Sequence, residues 1–131
     1  MVAKTVLFVC VGNACRSQMS EGFARAHAPK DWVIYSAGSA PAGFVAREAI
    51  EGMREKGIDI SRQYSKGLSE IPAIAFDAVV TMGCGDVCPY VKAKRNVDWK
   101  IPDPIGRGIG FFRQVRDDLE EKILALLKEL E

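Results

Sequence analysis

One histidine among 131 residues, His27, removes imidazole from the chemistry this chain can use. It stands near the end of a helix-patterned stretch, where its expected partners are the last helical carbonyls. An excess of one charge is also missing. Eighteen basic and seventeen acidic side chains give a formal charge of +1, which excludes a field broad enough to recruit nucleic acid or an acidic lipid surface. No apolar run approaches the roughly 20 residues that cross a bilayer. Met1-Val-Ala-Lys4 leads straight into a strand pattern with no signal-peptide cleavage site, so no membrane partner is expected and the cytoplasm is the expected compartment. Linkers, internal repeats and low-complexity stretches are absent as well. At 48% hydrophobic and 27% charged residues, 1–131 reads as one globular domain with enough apolar surface for a core, expected to work as a monomer.

Cysteine is sparse but grouped, at Cys10, Cys15, Cys84 and Cys88. Two structural disulfides are neither needed nor usually kept by a cytosolic domain of this size. A zinc tetrad is an open alternative with little support, since four residues separate the first pair and three the second. Reduced, reactive thiols and no metal site are the expectation.

The stretch Cys10-Val-Gly-Asn-Ala-Cys-Arg16-Ser17 sets a thiol and a guanidinium at the ends of a short loop between a strand and a helix. Five intervening residues suffice to curl the backbone so that the N–H groups of Val11, Gly12, Asn13, Ala14, Cys15, Arg16 and Ser17 converge near the helix N-terminus, where partial positive charge favours a tetrahedral anion. Gly12 and Asn13 tolerate the positive φ that such a curl needs. Arg16 adds a two-pronged donor, and the combined field favours a thiolate at Cys10. The plain alternative is a strand ending in a small apolar residue, followed by a turn and a helix. Packing alone does not call for a thiol, five residues, arginine and a hydroxyl in that order. Ser17 is expected both to cap the helix and to donate to Cys10, with Cys15 as structural filler.

Around this loop the pattern alternates strand and helix. Thr5–Val11, Trp32–Ser36, Asp77–Met82 and Val97–Lys100 read as strands. The residues after Arg16 as far as Pro29, then Phe44–Lys56, read as helices, with a weakly helical patch at Leu68–Ile71. The chain from Gly108 to Glu131 carries Phe112, Val115, Leu119, Ile123, Leu126 and Leu130 at helical spacing. The fold class is α/β: a single-domain three-layer sandwich whose four-stranded parallel sheet is flanked by helices on both faces. The Cys10 loop and the loop bearing Cys84 then share the carboxyl rim of the sheet. Asp103, between two prolines, lies in the loop that precedes the last helix.

Cys10, Arg16 and Ser17 before a helix, together with Asp103-Pro104, resemble the low-molecular-weight protein tyrosine phosphatase superfamily, in which such a loop holds the nucleophile and the aspartate is the general acid. Within it the chain is similar to the arsenate reductases that recycle through thioredoxin. Gly12–Gly22, Tyr35–Gly38, Gly57–Ser61 and the loop ending Cys88-Pro89 carry that likeness, which runs over essentially the whole chain. The resemblance implies arsenate as substrate, Cys10 as nucleophile, Asp103 as acid and a Cys84/Cys88 disulfide relay. It implies no tightly bound cofactor, only thioredoxin or another thiol system as electron donor. Some reductases of this kind hold potassium beside the loop through residues corresponding to Asn13, Glu21, Ser36 and an acidic residue near 66. Lys66 stands in that last place here, and its ammonium is expected to pair with Glu21 and steady Asn13.

Two departures bear on function. Only Gly85-Asp-Val87 separates Cys84 from Cys88, a shorter gap than the family's, and Ile105 and Gly106 replace the aromatic residues with which the phosphatases grip a phosphotyrosine ring. Three functions compete: arsenate reduction, hydrolysis of phosphate monoesters through a Cys10 phosphoenzyme, and non-catalytic binding of oxyanions or soft metals. Cys84 and Cys88 separate the first two, because hydrolysis needs neither, whereas a dithiol supplies the two electrons that arsenate reduction requires.

Overall fold

The computed structural model describes residues 3–83 and 90–131. The elements run β1 (Thr5–Cys10), α1 (Arg16–His27), β2 (Val33–Gly38), α2 (Arg47–Arg54), a 3-10 turn (Leu68–Glu70), β3 (Ala78–Met82), β4 (Asn96–Trp99) and α3 (Ile109–Leu130). All strand pairs are parallel and the order is β2-β1-β3-β4, which puts the most apolar strands in the middle. Register sets Cys10 beside Gly38 and Phe8 between Ser36 and Val80.

Alternation along β1 divides the core. Val6, Phe8 and Cys10 join one cluster with Met19 and Phe23 of α1, Ala49 and Met53 of α2, and Phe112, Leu119 and Ile123 of α3. Leu7 and Val9 join a second cluster with Ala37, Phe76 and Val79, covered by Leu68 of the 3-10 turn, Ile71 and Val91. Tyr35 meets Phe76 edge-on there, with ring centroids 5.7 Å apart. Both faces of the sheet are thus shielded, and the sheet's carboxyl rim is left for the loops.

One boundary departs from the apolar pattern. α2 begins at Arg47, not at Phe44, which is 62% exposed. Ala46, with φ −59° and ψ 136°, is the N-cap: its carbonyl accepts the first helical N–H groups, from Ala49 at 3.0 Å and Ile50 at 3.1 Å, while its own N–H donates to Ala14 O at 2.8 Å.

α2 is tied to α3 by charge as well as by packing. Arg116, nearly buried, donates to Gly52 O at 3.0 Å and to Glu55 Oε1 at 2.6 Å, while Arg113 Nη2 reaches Glu55 Oε2 at 2.8 Å. The hydrogen bonds from Arg113 and then Arg116 hold the Glu55 carboxyl at about 2, below its ordinary 4.5. A depressed carboxylate contributes stability that is complete above its unfolded value and fades as pH falls toward its folded one. Glu55→Gln is therefore expected to be less stable than the wild type at neutral pH, with the gap closing between pH 4.5 and about 2 in chemical denaturation at a series of pH values. A gap that did not change with pH would disprove this.

Candidate active site

β1 carries Cys10 to the rim of the sheet, where its side chain is buried. In the loop that follows, the peptide carbonyls are taken up one after another from outside. Ser39 N–H donates to Cys10 O at 3.3 Å, Ala40 N–H to Val11 O at 2.9 Å, Ala42 N–H to Gly12 O at 2.9 Å and Ala46 N–H to Ala14 O at 2.8 Å. Gln18 Nε2 donates to Asn13 O at 3.0 Å, and Met19 N–H to Cys15 O at 2.9 Å. Among the described residues none of the N–H groups of Gly12 to Cys15 has a protein acceptor. A run of free donors ahead of a helix N-terminus is a receptor for an anion. Gly38 lets the strand lie this close: a Cβ there would stand 2.5 Å from Val11 O and 3.0 Å from Asn13 N.

Asn13 makes the bend. It alone among the non-glycine residues described has a positive φ, 48°, while Gly12, expected to share that conformation, does not. Its side chain is buried and engaged at both ends. Nδ2 donates to Ser17 Oγ at 2.7 Å and to Ser36 Oγ at 3.1 Å; Oδ1 accepts Lys66 N–H at 2.9 Å and Gln18 Nε2 at 2.8 Å. Ser17 Oγ, having accepted from Asn13, keeps its own hydrogen for Cys10 Sγ, 2.9 Å away. Ser17 does not cap α1. It is the second residue of the helix, and Cys15 holds the N-cap position without a side-chain bond.

Behind Asn13 the network becomes ionic. Ser36 donates to Glu21 Oε1 at 2.5 Å, and Glu21 Oε2 is held by Arg25 Nε at 2.8 Å. Lys66 Nζ stands 3.5 Å from Glu21 Oε1 and 3.5 Å from Ser36 Oγ, and donates to Tyr64 O at 3.1 Å. Its side chain is 9% exposed and that of Glu21 4%, so the buried ammonium depends on Glu21, which Arg25 pairs from the other side. The expected pairing of the Lys66 ammonium with Glu21 is present, whereas Lys66 reaches Asn13 through its main-chain N–H, the ammonium bearing on Asn13 only by way of Ser36.

Arg16 Nη1 donates to Met82 O at 3.0 Å and Ile101 O at 2.9 Å, joining the end of β3 to the loop after β4. Nε and Nη2 have no protein acceptor among the described residues, which leaves that edge of the guanidinium for an anion. Asp103, two residues beyond Ile101, is exposed, and its Oδ1 accepts Ile105 N–H at 3.1 Å. Burial raises the Cys15 thiol far above its ordinary value, and the charges of Asp103 and Cys10 push it the same way, so Cys15 stays protonated and inert at neutral pH. Cys84 and Cys88 lie outside the described residues. Among the described residues no three His, Cys, Asp or Glu side chains gather as metal ligands, and no helix is long and apolar enough to cross a membrane.

The sequence motif did not reveal Gln18, which is fully buried at the loop. No local signal marks it, because the buried part of α1 also carries Ser17, Ser20 and Glu21.

The chain matches the model of the family described as low molecular weight phosphotyrosine protein phosphatase over residues 5–131. It is 41% identical to arsenate reductase 1 of Staphylococcus epidermidis, an alignment covering 94% of this chain and 95% of that one. The arsenate reductase of Bacillus licheniformis is 39% identical over 94% of both. Among solved structures, an arsenate reductase in the phosphate binding state superposes with a TM-score of 0.89 at 37% identity, over 98% of this chain and 99% of that one. A thioredoxin-dependent arsenate reductase of Corynebacterium glutamicum superposes at 0.82 with 34% identity, over 98% of this chain and 62% of that one.

With an ammonium already beside Glu21 and Ser36, replacing sodium by potassium at constant ionic strength is expected to change neither melting temperature nor turnover. A potassium-specific rise in either would overturn this reading of Lys66.

Proposed function

Because the chain belongs to the low-molecular-weight phosphotyrosine protein phosphatase family, we propose that its anion-binding loop serves the reduction of arsenate to arsenite, with Cys10 as nucleophile. The observation that carries the reading is the loop itself, whose carbonyls are all bonded from outside and whose N–H groups are left free directly after a thiol. It occurs in a chain 41% identical to an arsenate reductase.

Arsenate binds through the N–H groups of Gly12 to Ser17 and the free edge of Arg16, which recognise tetrahedral shape and negative charge. The Cys10 thiolate, receiving the Ser17 hydrogen bond, attacks arsenic. A sulfur–arsenic bond forms, an arsenic–oxygen bond breaks, and the departing oxygen leaves as water after taking a proton from Asp103. The Cys84 thiolate then attacks Cys10 Sγ. A disulfide forms, the sulfur–arsenic bond breaks, and its electron pair stays on arsenic, which departs as arsenite. Two thiolates have been oxidised and arsenic has gained two electrons. Attack of Cys88 on Cys84 frees Cys10, and thioredoxin or another dithiol donor reduces the Cys84–Cys88 bond.

Two features support Cys84 as the second thiol. Met82 O is bonded to Arg16, so Cys84 follows two residues after an atom tied to the guanidinium. Gly83 has φ 73°, and a Cβ there would crowd Arg16 Nη1 at 3.1 Å. Phosphate monoester hydrolysis would use the same loop and no second thiol, but Ile105 after Asp103-Pro104 offers no ring against which an aryl phosphate could stack. It is at most a side activity. A reducing compartment such as the cytoplasm suits the relay, and nothing in the mechanism needs more than one copy of the chain.

In a single turnover with arsenate, Cys88→Ser is expected to release one arsenite per chain and accumulate a Cys10–Cys84 disulfide, detected by peptide mapping, while Cys84→Ser releases none. Mapping that joined Cys10 only to Cys88 would reverse the order. Asp103→Asn is expected to slow the first chemical step by roughly 10²–10⁴-fold and leave oxyanion affinity largely intact. An unchanged single-turnover rate would remove Asp103 from the mechanism.

A further inference from the structure

The Gln18 side chain has three acceptors around one nitrogen. Nε2 lies 3.0 Å from Asn13 O, 2.8 Å from Asn13 Oδ1 and 2.9 Å from Tyr64 O. A primary amide is nearly symmetric in shape, so half a turn about its last bond would fit the same space and bring Oε1 against three oxygens. Such a turn would remove the bond to Asn13 O and the bond to Asn13 Oδ1, two of the contacts that keep Asn13 at φ 48°. Asn13 O and Tyr64 O, which can only accept, oppose that turn from the nitrogen's end of the amide.

Gln63 opposes it from the oxygen's end. Its Nε2 donates to Gln18 Oε1 at 2.8 Å and to Gln18 O at 3.0 Å. Both of those partners are acceptors, so Gln63 can only present its nitrogen, and Gln18 can then only present its oxygen in return. We propose that Gln63 is a positioning residue for the Cys10 loop: it sets the Gln18 amide, which sets Asn13, and through Asn13 the peptide donors and the Ser17 hydroxyl that face Cys10. Gln63 touches neither Cys10 nor the anion. The proposal deepens the reading of that loop as an oxyanion site and rests on it.

Gln63 is half-buried in the wall of a cavity of about 460 Å³, so smaller or isosteric side chains can be placed there without disturbing the core. Its charged neighbours are Asp59 and Arg62 from its own loop, Glu21 and Arg25 from α1, and Lys66 and Glu70 beyond it. They are common to every variant below, and comparison with the wild type at each pH cancels their effect.

The test uses inorganic sulfate, a dianion across the pH range, and calorimetric titration of the wild type, Gln63→Ala and Gln63→Glu. Gln63→Ala removes the donor and is expected to bind sulfate about tenfold more weakly than the wild type at every pH. Gln63→Glu turns a carboxylate toward two oxygens, so it is expected to be about tenfold weaker near pH 8 and to recover to near the wild type by about pH 5, where a protonated carboxyl donates in place of the amide. A Gln63→Ala protein with wild-type affinity would overturn the proposal and show that any loss in Gln63→Glu is plain charge repulsion. A Gln63→Glu protein that shows no recovery on acidification would overturn it too. If the wild type itself bound no sulfate, the oxyanion reading of the loop would be what fails. The Gln18 side-chain amide resonances in the same variants then decide the role of Gln63. They are expected to shift in Gln63→Ala at all pH values and in Gln63→Glu only on the alkaline side, and unchanged resonances would refute the assignment.

Discussion

Peptide units prefer to pair donor with acceptor, and the loop after Cys10 can keep its donors free only because its acceptors are satisfied from behind. Each carbonyl from Cys10 to Cys15 has a partner: four in the segment 39–46, one in the Gln18 side chain and one in the first turn of α1. Without them, the loop's own N–H groups would be the nearest alternative, and the anion site would close on itself. The parallel sheet supplies the alignment that makes this possible. β2 emerges beside β1 with Gly38 opposite Cys10, so the chain leaving β2 runs directly behind the loop leaving β1.

The second dependence runs through Asn13. A non-glycine residue in the left-handed region holds its conformation against its own preference, and the surrounding bonds over-determine it. Four side-chain bonds on Asn13 reach α1, β2 and the loop ahead of the 3-10 turn. Through Ser36 they end at a nearly buried pair of charges, Lys66 and Glu21. A buried pair of this kind adds little net stability but penalises any arrangement that separates it. Its value here is geometric, since it holds together the three parts of the chain that meet at Asn13.

Much of this was legible in the sequence, for definite reasons. Apolar β-branched runs and a long amphipathic helix act through local periodicity, and the strands and α3 lie within a residue or two of where the pattern puts them. Cys10, Arg16 and Ser17 act within one loop, so their spacing carries their relation. Less visible were the contacts made by backbone atoms or across long stretches of chain. The helical pattern at Phe44 was apparent, but the extended conformation of Ala46, whose N–H is tied to Ala14 O across the chain, was not, and α2 starts after it. Ser17 reads as a cap from its place after a loop, yet the hydroxyl is turned to Cys10 and Asn13 instead. Gln18 and Gln63, 45 residues apart, have no local signature at all.

The segment behind the loop contributes amide hydrogens, and any residue but one can supply an amide hydrogen. Ser39, Ala40, Ala42 and Ala46 donate from the main chain, so for this task any residue but proline serves, Ala46 being confined further by its place in the core. Gly43 N–H is also engaged, by Ser65 Oγ. The segment does contain a proline, Pro41, at one of the few positions from which no hydrogen is drawn. What evolution must preserve behind Cys10 is therefore a rule about where an imino acid can stand, a kind of constraint that side-chain similarity cannot register and that a proline scan would read directly.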